Sequence, residues 1–273
     1  MNCYTLRPMN IYRIALIFLA LGGWPHYASA LDGAEAVSGG RTSAAPMPQM
    51  LPAKVQPGAS AVFKRAVFTG EQASADVRHI ADWAVDSGDN RGLPFMVIDK
   101  VSARLFVFDA CGRIRGAAPV LLGLARGDHT VPGIGELELS MIRPEERTTP
   151  AGRFVAMRGM STRGEDVVWV DYESGVSLHR VINTNPQERR LERLATPTPA
   201  DNRISYGCIN VPVAFYNQVV DPSVMESGAI VYVLPEVRAV REVFGSYDVE
   251  TRHRYAGPAQ VNPGVIKTST TPQ

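Results

Sequence analysis

From Phe95 to Pro235 the chain consists largely of short apolar runs broken by glycine, proline and small polar residues, and this pattern constrains its fold most. FMVID from Phe95, RLFVFD from Arg104 and RIRGAAPVLLG from Arg113 come first, with Ala110-Cys111-Gly112 as the turn between the latter two. GRFVAM from Gly152, VVWVD from Val167, VSLHRVI from Val176 and AIVYVLP from Ala229 follow. The runs have strand length and are rich in branched and aromatic residues. Many short strands joined by Gly/Pro turns predict a mainly β fold, a sandwich or closed sheet, rather than alternating βαβ units.

Only a few short helices interrupt the pattern. Ser74 can cap a helix whose apolar positions Val77, Ile80, Ala81, Ala84 and Val85 recur at helical spacing. This N-terminal helix is expected within 71–93, packed on a β domain that spans 94–236. A second helix, VAFYNQVV over 213–220, follows Pro212, a residue suited to a first turn.

The ends of the chain differ in composition. Arg7 and Arg13 precede a short apolar run from Ile14 to Leu21, and Ala28-Ser29-Ala30 supplies small residues for cleavage. Residues 1–30 therefore predict a signal peptide and an exported protein, in the periplasm or cell envelope. The run is short for a membrane span, so a tether arises only if the signal stays uncleaved. Residues 31–70, rich in Ala, Gly, Ser and Pro, are expected to form a flexible linker, and 237–273 a largely disordered extension. Removing the two leader arginines from a net charge of +1 leaves about −1. With no basic cluster either, nucleic acid is excluded as a partner.

The chemistry narrows to one cysteine. Past the leader only Cys111 and Cys208 remain, which can pair as a disulfide or leave a thiol. Cys208 lies in R203-I-S-Y-G-C-I-N-V-P212, just upstream of the expected helix start, where partial positive charge favours a thiolate. A nucleophilic cysteine needs a base. His79 falls on the first helix, His129 in a Gly/Asp/Pro loop and His253 in the tail, whereas His179 sits inside the strand VSLHRVI. No CxxC or HExxH spacing is present, so neither a metal nor another cofactor is expected.

A strand histidine followed by S205-Y-G-C-I-N210 resembles the active site of the L,D-transpeptidases, the YkuD-type catalytic domain. RLFVFDACGRIRGAAPVLLG resembles that family's opening hairpin and the strand after it, and T149-P-A-G-R-F154 its Thr-Pro-x-Gly-x-Phe segment. The resemblance covers roughly residues 94–236. It implies Cys208 as nucleophile and His179 as base, with Ser205, Tyr206, Gly207 and Asn210 on supporting positions. The N–H groups of Gly207 and Cys208 are candidate oxyanion donors, and the carbonyl of Gly175 or Ser177 is a candidate to orient the imidazole. Arg203 either holds a substrate carboxylate or buttresses the loop through a salt bridge. Implied substrates are peptidoglycan stem peptides ending in D-alanine, cross-linked through a thioester. Water as acceptor gives an L,D-carboxypeptidase, and a drifted site gives a wall-binding module. Three departures stand out: Tyr206 beside the glycine, Arg180 after the histidine, and an Arg/Glu-rich insert over 183–202.

Overall fold

The computed structural model describes residues 63–255, with side chains to residue 252. Among the described residues ten strands form: β1 (Phe95–Asp99), β2 (Arg104–Phe108), β3 (Ile114–Pro119), β4 (Leu122–Gly123), β5 (Gly152–Met160), β6 (Asp166–Asp171), β7 (Val176–Arg180), β8 (Arg203–Ser205), β9 (Ile209–Val211) and β10 (Ala229–Val233). Eight of them make one sheet in the order β3-β2-β1-β10-β5-β6-β7-β9, and β4 pairs with β8 in parallel. Leu121, just past β3 at one edge, exchanges two 2.9 Å backbone hydrogen bonds with Asn210 of β9 at the other edge. The sheet thus nearly closes on itself, and the expected mainly β, closed-sheet class holds. RIRGAAPVLLG divides into β3 and β4, which belong to different sheets.

Two apolar layers hold the sheet. Inside the curve, Met96, Leu105, Val107, Val168, Leu178, Ile209 and Val231 pack around Tyr216, Val220 and Val224. These last three come from one helical stretch made of α3 (Val213–Phe215), a π-helical turn (Tyr216–Val220) and α4 (Asp221–Val224). Outside it, Phe95, Val97, Phe106, Phe108 and Tyr232 meet Val77, Ile80 and Ala84 of the helix Ala75–Ser87, α1. Strands β1 and β10 are consequently buried at every position, as continuous runs such as FMVID require. Each fully buried large apolar side chain contributes about 1.5–3 kcal/mol. Ser74 caps α1 as expected, accepting from Val77 N at 3.3 Å.

The domain edges need correcting within the described residues. The expected linker runs to residue 70, yet Phe68 is buried and Val67 N donates to Gly112 O at 2.8 Å. The expected disordered extension from 237 contains a helix Val240–Phe244 and another, Val249–Tyr255, with Val240 and Val249 buried beside α1. Ala66 and Phe68 of the first segment and Val240, Phe244, Tyr247 and Val249 of the second pack on this outer layer, spaced among polar residues that mask them in composition. The expected signal peptide and the linker up to residue 62 lie outside the described residues. Among the described residues no helix is long and apolar enough to cross a membrane.

Candidate active site

Parallel pairing of β7 with β9 sets Leu178 beside Ile209 and His179 beside Asn210. Leu178 and Ile209 both point into the core. Alternation along a strand therefore turns Ser177, His179, Cys208 and Asn210 to the opposite face. All four line one cleft of about 350 Å³, with Ser205 and Tyr206 beside them.

Cys208 carries a free thiol, so it is not joined to Cys111. Its sulfur accepts from Ser177 N at 3.5 Å, lies 3.6 Å from Ser177 Oγ, and donates to Gly175 O at 3.5 Å. Burial pushes the thiol up, but hydrogen bonding and charge from His179, with the Ser177 N–H and hydroxyl, outweigh it and hold the thiol below its ordinary range. The expected helix terminus is not among the causes, since β9 separates Cys208 from α3. Three strand residues at about 3.3 Å each put that terminus beyond the first turn over which a helix dipole acts.

His179 Nδ1 lies 2.7 Å from Arg180 O. Because a carbonyl only accepts, the proton sits on Nδ1 and leaves Nε2 as the basic nitrogen of the neutral ring. The orienting carbonyl is thus Arg180's and not that of Gly175 or Ser177. Gly175 O accepts from the sulfur instead. Asn210 Nδ2 reaches both His179 Nε2, at 3.3 Å, and Cys208 O, at 3.4 Å.

Ser205, Gly207 and Thr149 shape the cysteine loop. Ser205 Oγ donates to Cys208 O at 2.6 Å and accepts from Gly207 N at 3.1 Å. The Gly207 N–H is therefore committed to the loop and is removed as an oxyanion donor; the Cys208 N–H remains the candidate. Gly207 adopts φ +135°, and a Cβ there would sit 2.8 Å from Thr148 O. The close approach this glycine permits is to Thr148, not to substrate. Thr149 Oγ1 donates to Gly207 O at 2.8 Å and accepts from Gly123 N at 2.9 Å. The Thr-Pro-x-Gly segment and the cysteine motif, distant in sequence, are thereby one structural unit.

Arg203 does not enter the cleft. It is buried and pairs with Glu236 at 2.6 Å, while also donating to Lys100 O at 2.7 Å. Of its two readings, the buttress is correct. Arg180 likewise turns aside: it pairs with Asp166 at 2.9 Å, donates to Asn217 Oδ1 at 2.7 Å and lies 4.2 Å over the Tyr216 ring. Tyr206 does line the cleft, with the Arg147 guanidinium 4.0 Å from its ring centre. Arg190 is the residue that sequence reading missed. It stands at the start of the helix Arg190–Ala195 (α2) within the insert, and its Nη1 donates to Asn210 Oδ1. The arginine-rich run ERR was its only signal. Among the described residues no cluster of metal-binding side chains occurs.

No protein-family model matches the chain, and no curated protein matches it. Among solved structures it is similar to an L,D-transpeptidase from Xylanimonas cellulosilytica at 17% identity and TM-score 0.32, over 52% of this chain and 60% of that one. An L,D-transpeptidase from Mycobacterium tuberculosis is similar at 15% identity and TM-score 0.32, over 51% and 57%. The catalytic domain of an E. faecium L,D-transpeptidase is similar at 16% identity and TM-score 0.27, over 52% and 96%. The match spans about three fifths of the first two structures' length. By its motifs and the order in which they occur, the chain resembles the L,D-transpeptidases, and the solved structures similar to it carry the same name.

Proposed function

We propose that the protein is an exported cysteine acyltransferase acting on peptidoglycan stem peptides in the periplasm or cell envelope. Residues 94–236 form its catalytic module, and 1–30 direct export. The observation that carries this reading is the free Cys208 thiol, held below its ordinary range by His179 and the Ser177 N–H inside an accessible cleft.

The chemistry follows from the atoms present. The thiol proton passes to His179 Nε2, and the Ser177 N–H steadies the charge left on sulfur. The thiolate attacks the carbonyl that precedes the terminal D-alanine. Negative charge on the carbonyl oxygen meets the Cys208 N–H. Nε2–H protonates the departing nitrogen, the C–N bond breaks, D-alanine leaves, and a thioester remains on Cys208. An acceptor amine then gives its proton to Nε2 and attacks the thioester. The C–S bond breaks, the cross-link forms and the thiolate returns. Throughout, Arg180 O holds Nδ1–H, so only Nε2 exchanges protons.

Incubation with a carbapenem tests the nucleophile by intact-protein mass. Wild type gains one acyl adduct, whereas folded Cys208→Ala gains none; a single adduct on the variant assigns the nucleophile elsewhere. Incubation with a disaccharide-tetrapeptide separates the acceptors. Cross-linked dimers are expected, tripeptide alone means water is the acceptor, and no product from a folded protein means a binding module.

A further inference from the structure

The insert brings a cation to the base. Helix α2 places Arg190 in the cleft wall, mostly buried, with Nε paired to Glu188 and Nη1 donating to Asn210 Oδ1. A guanidinium only donates, so the Asn210 atom facing it must be the oxygen. That choice fixes the other end of the amide: Nδ2, a donor, faces His179 Nε2 at 3.3 Å. Without Arg190 only the long 3.4 Å contact from Nδ2 to Cys208 O opposes a turn of the amide that presents its oxygen to Nε2. Nδ1–H already donates to Arg180 O, so an acceptor on the second nitrogen selects the doubly protonated ring, which cannot take a proton. The other charged side chains in the cleft wall are Arg163, Glu165 and Glu188, while Arg180 and Asp166 pair with each other.

We propose that Arg190 is a positioning residue: by fixing the Asn210 amide it keeps His179 Nε2 a proton acceptor, and the insert exists in part to deliver it. This rests on the reading of Cys208 and His179 as nucleophile and base. A ring that holds its proton more tightly still supports the attacking thiolate and gives that proton up less readily to the departing nitrogen, but it cannot deprotonate the acceptor amine at all. Losing Arg190 therefore affects the second half of the reaction more than the first.

The test uses the full chain with ¹⁵N-labelled histidine at neutral pH, together with acylation and turnover rates. Arg190→Met and Asn210→Asp should both raise the protonated fraction of His179 Nε2. Arg190→Met should slow turnover about tenfold, the worth of one oriented hydrogen bond, while carbapenem acylation falls less. Arg190→Lys, another donor-only cation, should restore part of the turnover. If Arg190→Met leaves Nε2 as in wild type while wild type acylates normally, the positioning role is overturned and the nucleophile stands, with Asn210→Asp as the control that the Nε2 signal can respond. If the Nε2 signal responds as stated but wild type neither acylates nor turns over, the enzyme reading falls and the Arg190–Asn210–His179 contact survives it.

Discussion

Two polar clusters lie on either side of the cysteine loop, and they are built in opposite ways. Behind it, Lys100, Asp128, Arg203 and Glu236 are almost fully buried and close-paired: Lys100 to Asp128 at 3.0 Å and to Thr149 O at 2.9 Å, Arg203 to Glu236 at 2.6 Å. Asp128 further accepts from the backbone N–H groups of Glu236, Val237 and Arg238 at 2.8–3.0 Å. In front, the contacts among Cys208, Ser177, His179 and Asn210 run from 3.3 to 3.6 Å. The rear cluster meets nearly all its hydrogen-bonding needs, and among its side-chain atoms only Arg203 Nε lacks a partner among the described residues. A saturated cluster has nothing left for a substrate; a loosely bonded one, facing a cleft, does. Burial and charge alone do not separate the two. The hydrogen-bond geometry does.

The comparison can be broken, and the largest effect is expected in front. His179→Ala should lower the acylation rate by about 10²–10⁴-fold with its melting temperature near wild type. A wild-type rate would move the base away from the front cluster. At the rear the effect should fall on stability. Arg203→Leu leaves Glu236 buried with only Lys100, 3.7 Å away, as its charge partner, and should cost about 3–5 kcal/mol in denaturant unfolding. The folded fraction should keep the wild-type KM; a raised KM with unchanged stability would return Arg203 to substrate binding.

The smallest effect is a pH dependence that sharpens the contrast. Burial pushes the Asp128 carboxyl up, but the backbone N–H groups of Glu236 and Arg238 and the Lys100 ammonium bring it down to about 2 from 3.8. Burial pulls its partner Lys100 down in turn, because the ammonium loses more hydration than the pair restores. A depressed acid stabilises the fold above its unfolded pKa and loses that contribution as pH falls through the folded one. Asp128 should therefore cost the protein about 2 kcal/mol between about pH 4 and below pH 2. Asp128→Asn should remove that slope, and an unchanged slope would show that another carboxylate sets acid stability.

Much of this was legible in the chain. The strands FMVID, RLFVF and AIVYV and the Ser74 cap follow from local pattern, and the motif residues Cys208 and His179 do line one cleft. The short strands β8 and β9 around Cys208 were not, because three residues carry no period and exist only through their neighbours. Arg203 and Arg190 make the same point. Both are arginines near the motif, and nothing local says that one turns inward to Glu236 while the other reaches Asn210.

The sequence by itself determined the strand-rich class and the first helix, and its resemblance to a family singled out Cys208 and His179 as the candidates. The class and the helix depend on side-chain period and capping, which act between near neighbours. Only the tertiary structure decided which carbonyl holds the imidazole, which glycine contacts which backbone and where each arginine goes. Those outcomes depend on β7 lying beside β9 and on β3 running round to meet it, pairings between segments far apart in the chain that no local pattern encodes.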